Sequence, residues 1–177
     1  MENLEDNKVT FYLVGNKLKS KEKFEQAVHA LQQGHLIGNH SYSHPQFSRL
    51  STENARSQIL RTDELIEQLH KESEIPRTHK LFRFPYGDNG NNSNKSPIRN
   101  FLIDQGYKTQ FWDTDTNDWR HYSETKRLSR SSILRNCAKA KDGHIVLCHD
   151  KPITANHIIP FYVNSKEYKL ILPQPNL

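Results

Sequence analysis

The sequence predicts an α/β fold organised around parallel strands, and two observations carry that reading. Short apolar runs of strand length alternate with longer stretches whose apolar residues recur at helical spacing, the pattern of successive strand-helix-strand units. Four polar clusters, His40 to His44, Arg83 to Tyr86, Asp115 to Trp119 and His149 to Asp150, each follow a predicted strand, which is where α/β barrels assemble their sites. A barrel and an open doubly wound sheet both satisfy this pattern.

The elements follow in order. Val9 to Val14 is a short buried strand ending at Gly15, and Ser20 to Gln33 is a helix with Phe24, Ala27, Val28 and Leu31 at helical spacing. Gly34 stops it. His35 to Gly38 is the next strand, and it delivers the polar segment Asn39 to Pro45 to its C-terminal end. Ser51 is a good N-cap for a second helix carrying Ile59, Leu60, Leu65, Ile66 and Leu69, with its stop near Pro76. The unit then recurs as a strand from Lys80 to Pro85, a Gly- and Asn-rich loop from Gly87 to Asn94, and a helix from Pro97 to Gln105 closed by Gly106. Lys108 to Asp113 reads as strand, Ser131 to Ala140 as helix, and His144 to Cys148 as the last strong strand, launched by the Asp142-Gly143 turn. The tail holds two more apolar pieces.

Length and composition narrow the classes. At 177 residues the chain is expected to form one domain, 1–177, since domains usually run ~100 to 200 residues. Lys and Arg number 25 against 20 Asp and Glu, but they are scattered and no nucleic-acid-binding motif accompanies them, so nucleic acid is not an expected partner. No run approaches the ~18 apolar residues of a membrane span. The opening Met-Glu-Asn-Leu-Glu-Asp-Asn is acidic where a secretion signal is basic and then apolar. Cys137 and Cys148 allow one disulfide but no framework, so they do not fix the compartment. Localisation and oligomeric state stay open.

Each polar cluster has a chemical reading and a plainer one. His40-Ser-Tyr-Ser-His44 places two imidazoles four residues apart, so a helical turn could aim both at one metal, Zn²⁺ being the usual taker of nitrogen ligands. By itself such a pair is more often solvated or part of a core. Arg83-Phe-Pro-Tyr86 reads in isolation as a strand end with a proline-fixed turn, because Pro cannot lie in the middle of a sheet. Asp115-Thr-Asn-Asp118-Trp119 suits a carboxylate that orients a histidine beside an apolar wall, or else an Asx-rich turn. Leu147-Cys-His149-Asp150 ends an apolar strand on an ionisable pair, a good place for a general acid.

The joint order is more specific than any single cluster. A histidine pair, Arg-x-Pro-Tyr, Asp-x-x-Asp-Trp and Leu-x-His-Asp occur in the order and rough spacing of the polysaccharide deacetylases of carbohydrate esterase family 4, also called the NodB-homology domain. The resemblance spans Val9 to Pro160. It implies an irregular (β/α) barrel and hydrolysis of acetyl groups, most often N-acetyl, on a cell-envelope or chitin-like polysaccharide. By the same resemblance His40 and His44 bind a divalent metal, Zn²⁺ or alternatively Co²⁺, together with an aspartate. Arg83 holds a second, water-activating aspartate, and the backbone N–H near Tyr86 helps stabilise the oxyanion. His149 protonates the leaving amine, Asp118 favours its protonated form by charge and hydrogen bonding, and Trp119 and Leu147 wall the acetyl pocket. Members of the family are commonly secreted or in the cell envelope.

One part of the pattern is missing. The family's first motif, Thr-Phe-Asp-Asp-Gly, carries the base and the third metal ligand, and no such string occurs in these 177 residues. Asp6 reads as the tail of a first helix and is a poor substitute. The sequence is therefore expected to lack the first barrel strand, to hold metal weakly and to have weak or no activity, since loss of a general base costs ~10² to 10⁴ in rate. A non-catalytic glycan-binding pseudoenzyme, or a gene remnant, is the alternative.

Overall fold

A computed structural model describes residues 7–173; Asp6 and the rest of the opening segment lie outside the described residues. The fold is α/β with parallel strands, and the chain divides into two compact units. One runs from Lys8 to Gln110, and the other from Phe111 onward together with Asn7.

The first unit holds a four-stranded parallel sheet in the order β1-β2-β3-β4, with strands Thr10–Leu13 (β1), Leu36–Asn39 (β2), Leu81–Phe82 (β3) and Lys108–Thr109 (β4). Helices Lys21–Gln32 (α1), Thr52–Ser73 (α2) and Lys95–Asp104 (α3) connect them. Gly15 follows β1 because of close approach: a Cβ there would collide with the Thr62 side chain of α2. Ser51 caps α2, its hydroxyl accepting from Asn54 N at 3.2 Å. The helix ends at a left-handed Glu74 (φ 58°), ahead of Pro76. Its buried stripe of Ala55, Ile59, Thr62, Ile66 and Leu69 serves two cores. Ile59 packs with Phe47, Phe82, Phe84, Ile98 and Leu102, and Ile66 and Leu69 pack with Leu18, Leu31 and Ile37. Each such fully buried aliphatic side chain stabilises the fold by about 1.5 to 3 kcal/mol.

Several expected boundaries move. α3 begins two residues before Pro97, which fits because the first N–H groups of a helix have no intrahelical acceptor and proline lacks one. The expected strand Lys80 to Pro85 is paired only at Leu81–Phe82, after which Pro85–Gly87 forms a tight turn with Tyr86 at φ 59°. Of the expected strand Lys108 to Asp113 only Lys108–Thr109 is paired, and the next strand begins at Thr114. Gln110 N still donates to Phe82 O, but its side chain takes the Tyr12 hydroxyl and its carbonyl takes Arg83 Nε, and the chain then leaves the ladder.

In the second unit, Thr114–Asp115 (β5) pairs in parallel with Val146–Leu147 (β6). Helix Arg130–Cys137 (α4) is capped by Ser129. The apolar residues of the tail form a wide helical turn, Thr154–Ile158, that runs into Ile159–Val163 (α5). Ile133, Cys137, Ile153, Ile158 and Tyr162 make the core of this unit, and Cys137 is a buried free thiol. Among the described residues no helix is long and apolar enough to cross a membrane.

Candidate functional site

The predicted residues fall into two groups, one in each unit. In the first unit β2 ends at Asn39, and His40 to His44 form an irregular loop rather than the helical turn expected from their spacing. Ser41 and His44 adopt left-handed backbone conformations, at φ 64° and 60°. The imidazoles still converge, with His40 Nε2 and His44 Nε2 3.2 Å apart. His40 Nδ1 lies 2.7 Å from the carbonyl of Arg83, which can only accept. Nδ1 therefore carries a proton, and in the neutral ring the Nε2 lone pair faces His44.

Two nitrogens bound to one tetrahedral zinc at ~2.0 to 2.1 Å stand roughly 3.3 to 3.4 Å apart, so the pair fits two corners of such a site. A third ligand is a different matter. Among the described residues no group of three His, Cys, Asp or Glu side chains is arranged to hold a metal ion.

Tyr86 stands edge-on to His44 at 4.6 Å between ring centroids and is 66% exposed. Arg83 is buried, its guanidinium 4.1 Å over the Tyr12 ring and its Nε donating to Gln110 O at 3.2 Å. Burial pushes the Tyr12 hydroxyl up to about 12 against the opposing pull of Arg83, so Tyr12 stays a neutral donor to Gln110. The sequence pattern did not single out Tyr12 or Gln110, because neither sits in one of the four polar clusters and their contact joins positions far apart in the chain.

In the second unit the two aspartates of Asp115-x-x-Asp118 part company. Asp115 makes an Asx turn, Oδ1 accepting from Asn117 N at 2.8 Å, and Asn117 takes a left-handed conformation (φ 55°) that turns the chain inward. Asp118 then lies fully buried. Its Oδ1 accepts from His149 Nδ1 at 2.7 Å and Trp119 N at 2.9 Å; its Oδ2 accepts from His149 N and the Thr154 hydroxyl, both at 2.7 Å. Burial opposes ionisation of this carboxyl, but the hydrogen bonds from His149 and Thr154 outweigh it and hold the group below the ordinary carboxylate range. The bond to Asp118 fixes the His149 ring by Nδ1 and leaves Nε2 outside that bond. Trp119 is 44% exposed and Leu147 half-buried.

Comparison with known proteins bears on the whole arrangement. A family model described as polysaccharide deacetylase matches residues 3–131, which include His40, His44, Arg83 and Asp118. The chain belongs to the polysaccharide deacetylase family. Leu147 and His149 lie beyond the matched residues. A peptidoglycan-N-acetylglucosamine deacetylase from Bacillus cereus is 33% identical over 148 residues, which is 82% of this chain and 46% of that protein. The chain thus spans less than half the length of that curated relative. A CE4 family pseudoenzyme from Bacillus anthracis superposes with a TM-score of 0.76 at 25% identity, over 96% of this chain and 56% of that one. A family 4 carbohydrate esterase from Streptomyces lividans, solved with acetate, superposes with a TM-score of 0.78 over 98% of this chain and 83% of that one; at 23% identity that likeness shows the fold alone. The fold is the (β/α) barrel class of these deacetylases.

Proposed function

We propose that this chain carries the metal-binding and proton-donating parts of a hydrolase that removes acetyl groups, chiefly N-acetyl, from a peptidoglycan- or chitin-like polysaccharide. The observation that carries the reading is the approach of two imidazole Nε2 atoms to 3.2 Å while Arg83 O commits His40 Nδ1 to carrying a proton. His40 and His44 would hold a divalent ion, Zn²⁺ or Co²⁺, which would polarise the acetyl carbonyl and acidify a water. The backbone N–H of Tyr86 donates to the oxyanion. Arg83 would hold a carboxylate that takes the water's proton, a group these 177 residues do not supply.

In the second unit His149, held by Asp118, delivers a proton from Nε2 to the sugar nitrogen as the C–N bond breaks, releasing acetate and a free amine. Trp119 and Leu147 enclose the acetyl methyl. The 177 residues supply no Thr-Phe-Asp-Asp-Gly segment, so the base and third ligand of the family pattern have no counterpart here, and weak metal binding and little turnover follow. A second reading, a glycan-binding pseudoenzyme, is supported by the likeness to a CE4 family pseudoenzyme at a TM-score of 0.76 and 25% identity.

The test is acetate release from acetylated chitooligosaccharide and from peptidoglycan with added Zn²⁺ or Co²⁺, on this chain and on a version given a Thr-Phe-Asp-Asp-Gly segment ahead of residue 1. Turnover confined to the extended version, and lost on His149→Ala, is the expected result. Robust turnover by the 177 residues overturns the account of the missing carboxylates. Glycan binding without turnover in both versions establishes the pseudoenzyme.

A further inference from the structure

The loop bearing the two histidines has an unusual supply of hydrogen-bond acceptors. Four consecutive backbone N–H groups, from Ser41 to His44, all donate to side-chain oxygens. Ser41 N donates to Asn39 Oδ1 at 2.9 Å, Tyr42 N and Ser43 N to Gln58 Oε1 at 3.0 and 2.8 Å, and His44 N to Ser41 Oγ at 3.1 Å. The Ser43 hydroxyl adds a third bond to Gln58 Oε1 at 3.2 Å. Asn39 and Ser41 belong to the loop or its immediate root, so their bonds travel with it. Gln58 does not. It projects from the second turn of α2, a helix anchored in two cores by Ala55, Ile59, Ile66 and Leu69.

On the other side, the chain after β1 donates Gly15 N and Asn16 N to the carbonyls of Ser41 and Tyr42 at 3.0 and 2.8 Å. The loop is thus clamped from β1 by its carbonyls and from α2 by its N–H groups. Its non-glycine residues Ser41 and His44 sit at positive φ, a conformation that persists only where surrounding structure enforces it. Gln58 bonds two of the three residues lying between His40 and His44, so it helps set the separation and relative tilt of the rings through the backbone that carries them.

From this we propose that Gln58 is a positioning residue for the histidine pair, an inference that rests on His40 and His44 being the metal-binding residues. Its amide oxygen, rather than its bulk, does the positioning. Gln58→Met keeps the volume and helix preference but removes the acceptor. Gln58→Asn keeps the amide but is one methylene too short. Gln58→Glu keeps an acceptor at the same reach.

The experiment measures Zn²⁺ affinity by competition with a chromophoric chelator, the ligand-field spectrum of bound Co²⁺, and metal-free thermal melting, on the whole chain and these variants with His40→Ala as reference. Gln58→Met and Gln58→Asn are expected to lose ~10-fold or more in Zn²⁺ affinity and to shift the Co²⁺ spectrum, the scale seen when an outer partner of a metal ligand is removed. Gln58→Glu is expected to restore most of the affinity. A purely structural role would lower the melting temperature while leaving affinity and spectrum unmoved, and that result in Gln58→Asn overturns the proposal even if Gln58→Met does not fold. Undiminished Zn²⁺ binding by His40→Ala overturns instead the metal reading of the pair, and with it the role given to Gln58.

Discussion

The two units build their sites in opposite ways. In the unit from Phe111 onward a single buried carboxylate, Asp118, organises everything around it: four donors converge on its two oxygens, and His149 is held by both its backbone and its ring. In the unit from Lys8 to Gln110 the backbone organises the side chains, since a carbonyl fixes His40 and side-chain oxygens clamp the loop that carries His44. The buried carboxylate has both oxygens hydrogen-bonded from within its own unit, whereas the two imidazoles meet at Nε2 3.2 Å apart, a separation that fits the proposed metal. The first arrangement contributes to stability by itself. The second is expected to gain stability from the proposed metal.

The largest effect that would separate the two is Asp118→Ala. Removing a charged acceptor of several buried donors is expected to destabilise the protein by about 3 kcal/mol or more, read by urea unfolding. His40→Ala should cost far less in metal-free buffer. A comparable loss in the two variants would erase the contrast.

Metal addition should bring the two costs close together. Zn²⁺ at about 100 times its dissociation constant should stabilise the wild type by ~2.7 kcal/mol, and this gain should vanish in His40→Ala and in His44→Ala. Thermal melts with and without chelator decide it.

Acid sharpens the comparison further. Asp118 and Asp63 both have carboxyls held below the ordinary range. For Asp63 burial works against ionisation, while bonds from Tyr107 and Arg77 outweigh it. A carboxyl with a lowered folded value contributes stability that is complete above its unfolded value of ~3.9 and is lost as pH falls through the folded one. Stability should therefore decline as pH drops below about 4, and Asp63→Asn and Asp118→Asn should each flatten that decline. An unchanged acid limb in both would mean that other groups govern it.

The smallest effects come from two serine caps, Ser51 on α2 and Ser129 on α4, whose hydroxyls each accept a backbone N–H at 3.2 Å. Replacement of either by Ala should cost about 1 kcal/mol. If the two units unfold together, both variants will move one common transition; if they unfold apart, each will move its own.

How much of this was legible in the sequence differs by kind of feature. Helix positions and their stops at Gly34 and Gly106, the Ser51 cap and the polar residues that follow strands could be read directly, because they depend on apolar spacing and on the local conformational needs of a few residues. The histidine pair, Arg83, Asp118 and His149 were singled out by motif order. Strand ends were read less well: Lys108 to Asp113 has the composition of one strand, yet the chain leaves its ladder at Gln110 because Tyr12 and Arg83, distant in sequence, take up that residue.

The sequence by itself determined which elements form and which chemically capable side chains stand at strand ends, since both follow from periodicity and residue type. Only the tertiary structure decided how those side chains are held. The bond from His40 to Arg83 O spans 43 residues, the bonds from Asp118 to His149 span 31, and those from Gln58 to Ser43 span 15. The physical reason is that a hydrogen bond needs its donor and acceptor at a fixed distance and angle, a condition set by packing between elements and carried by no local pattern of residues.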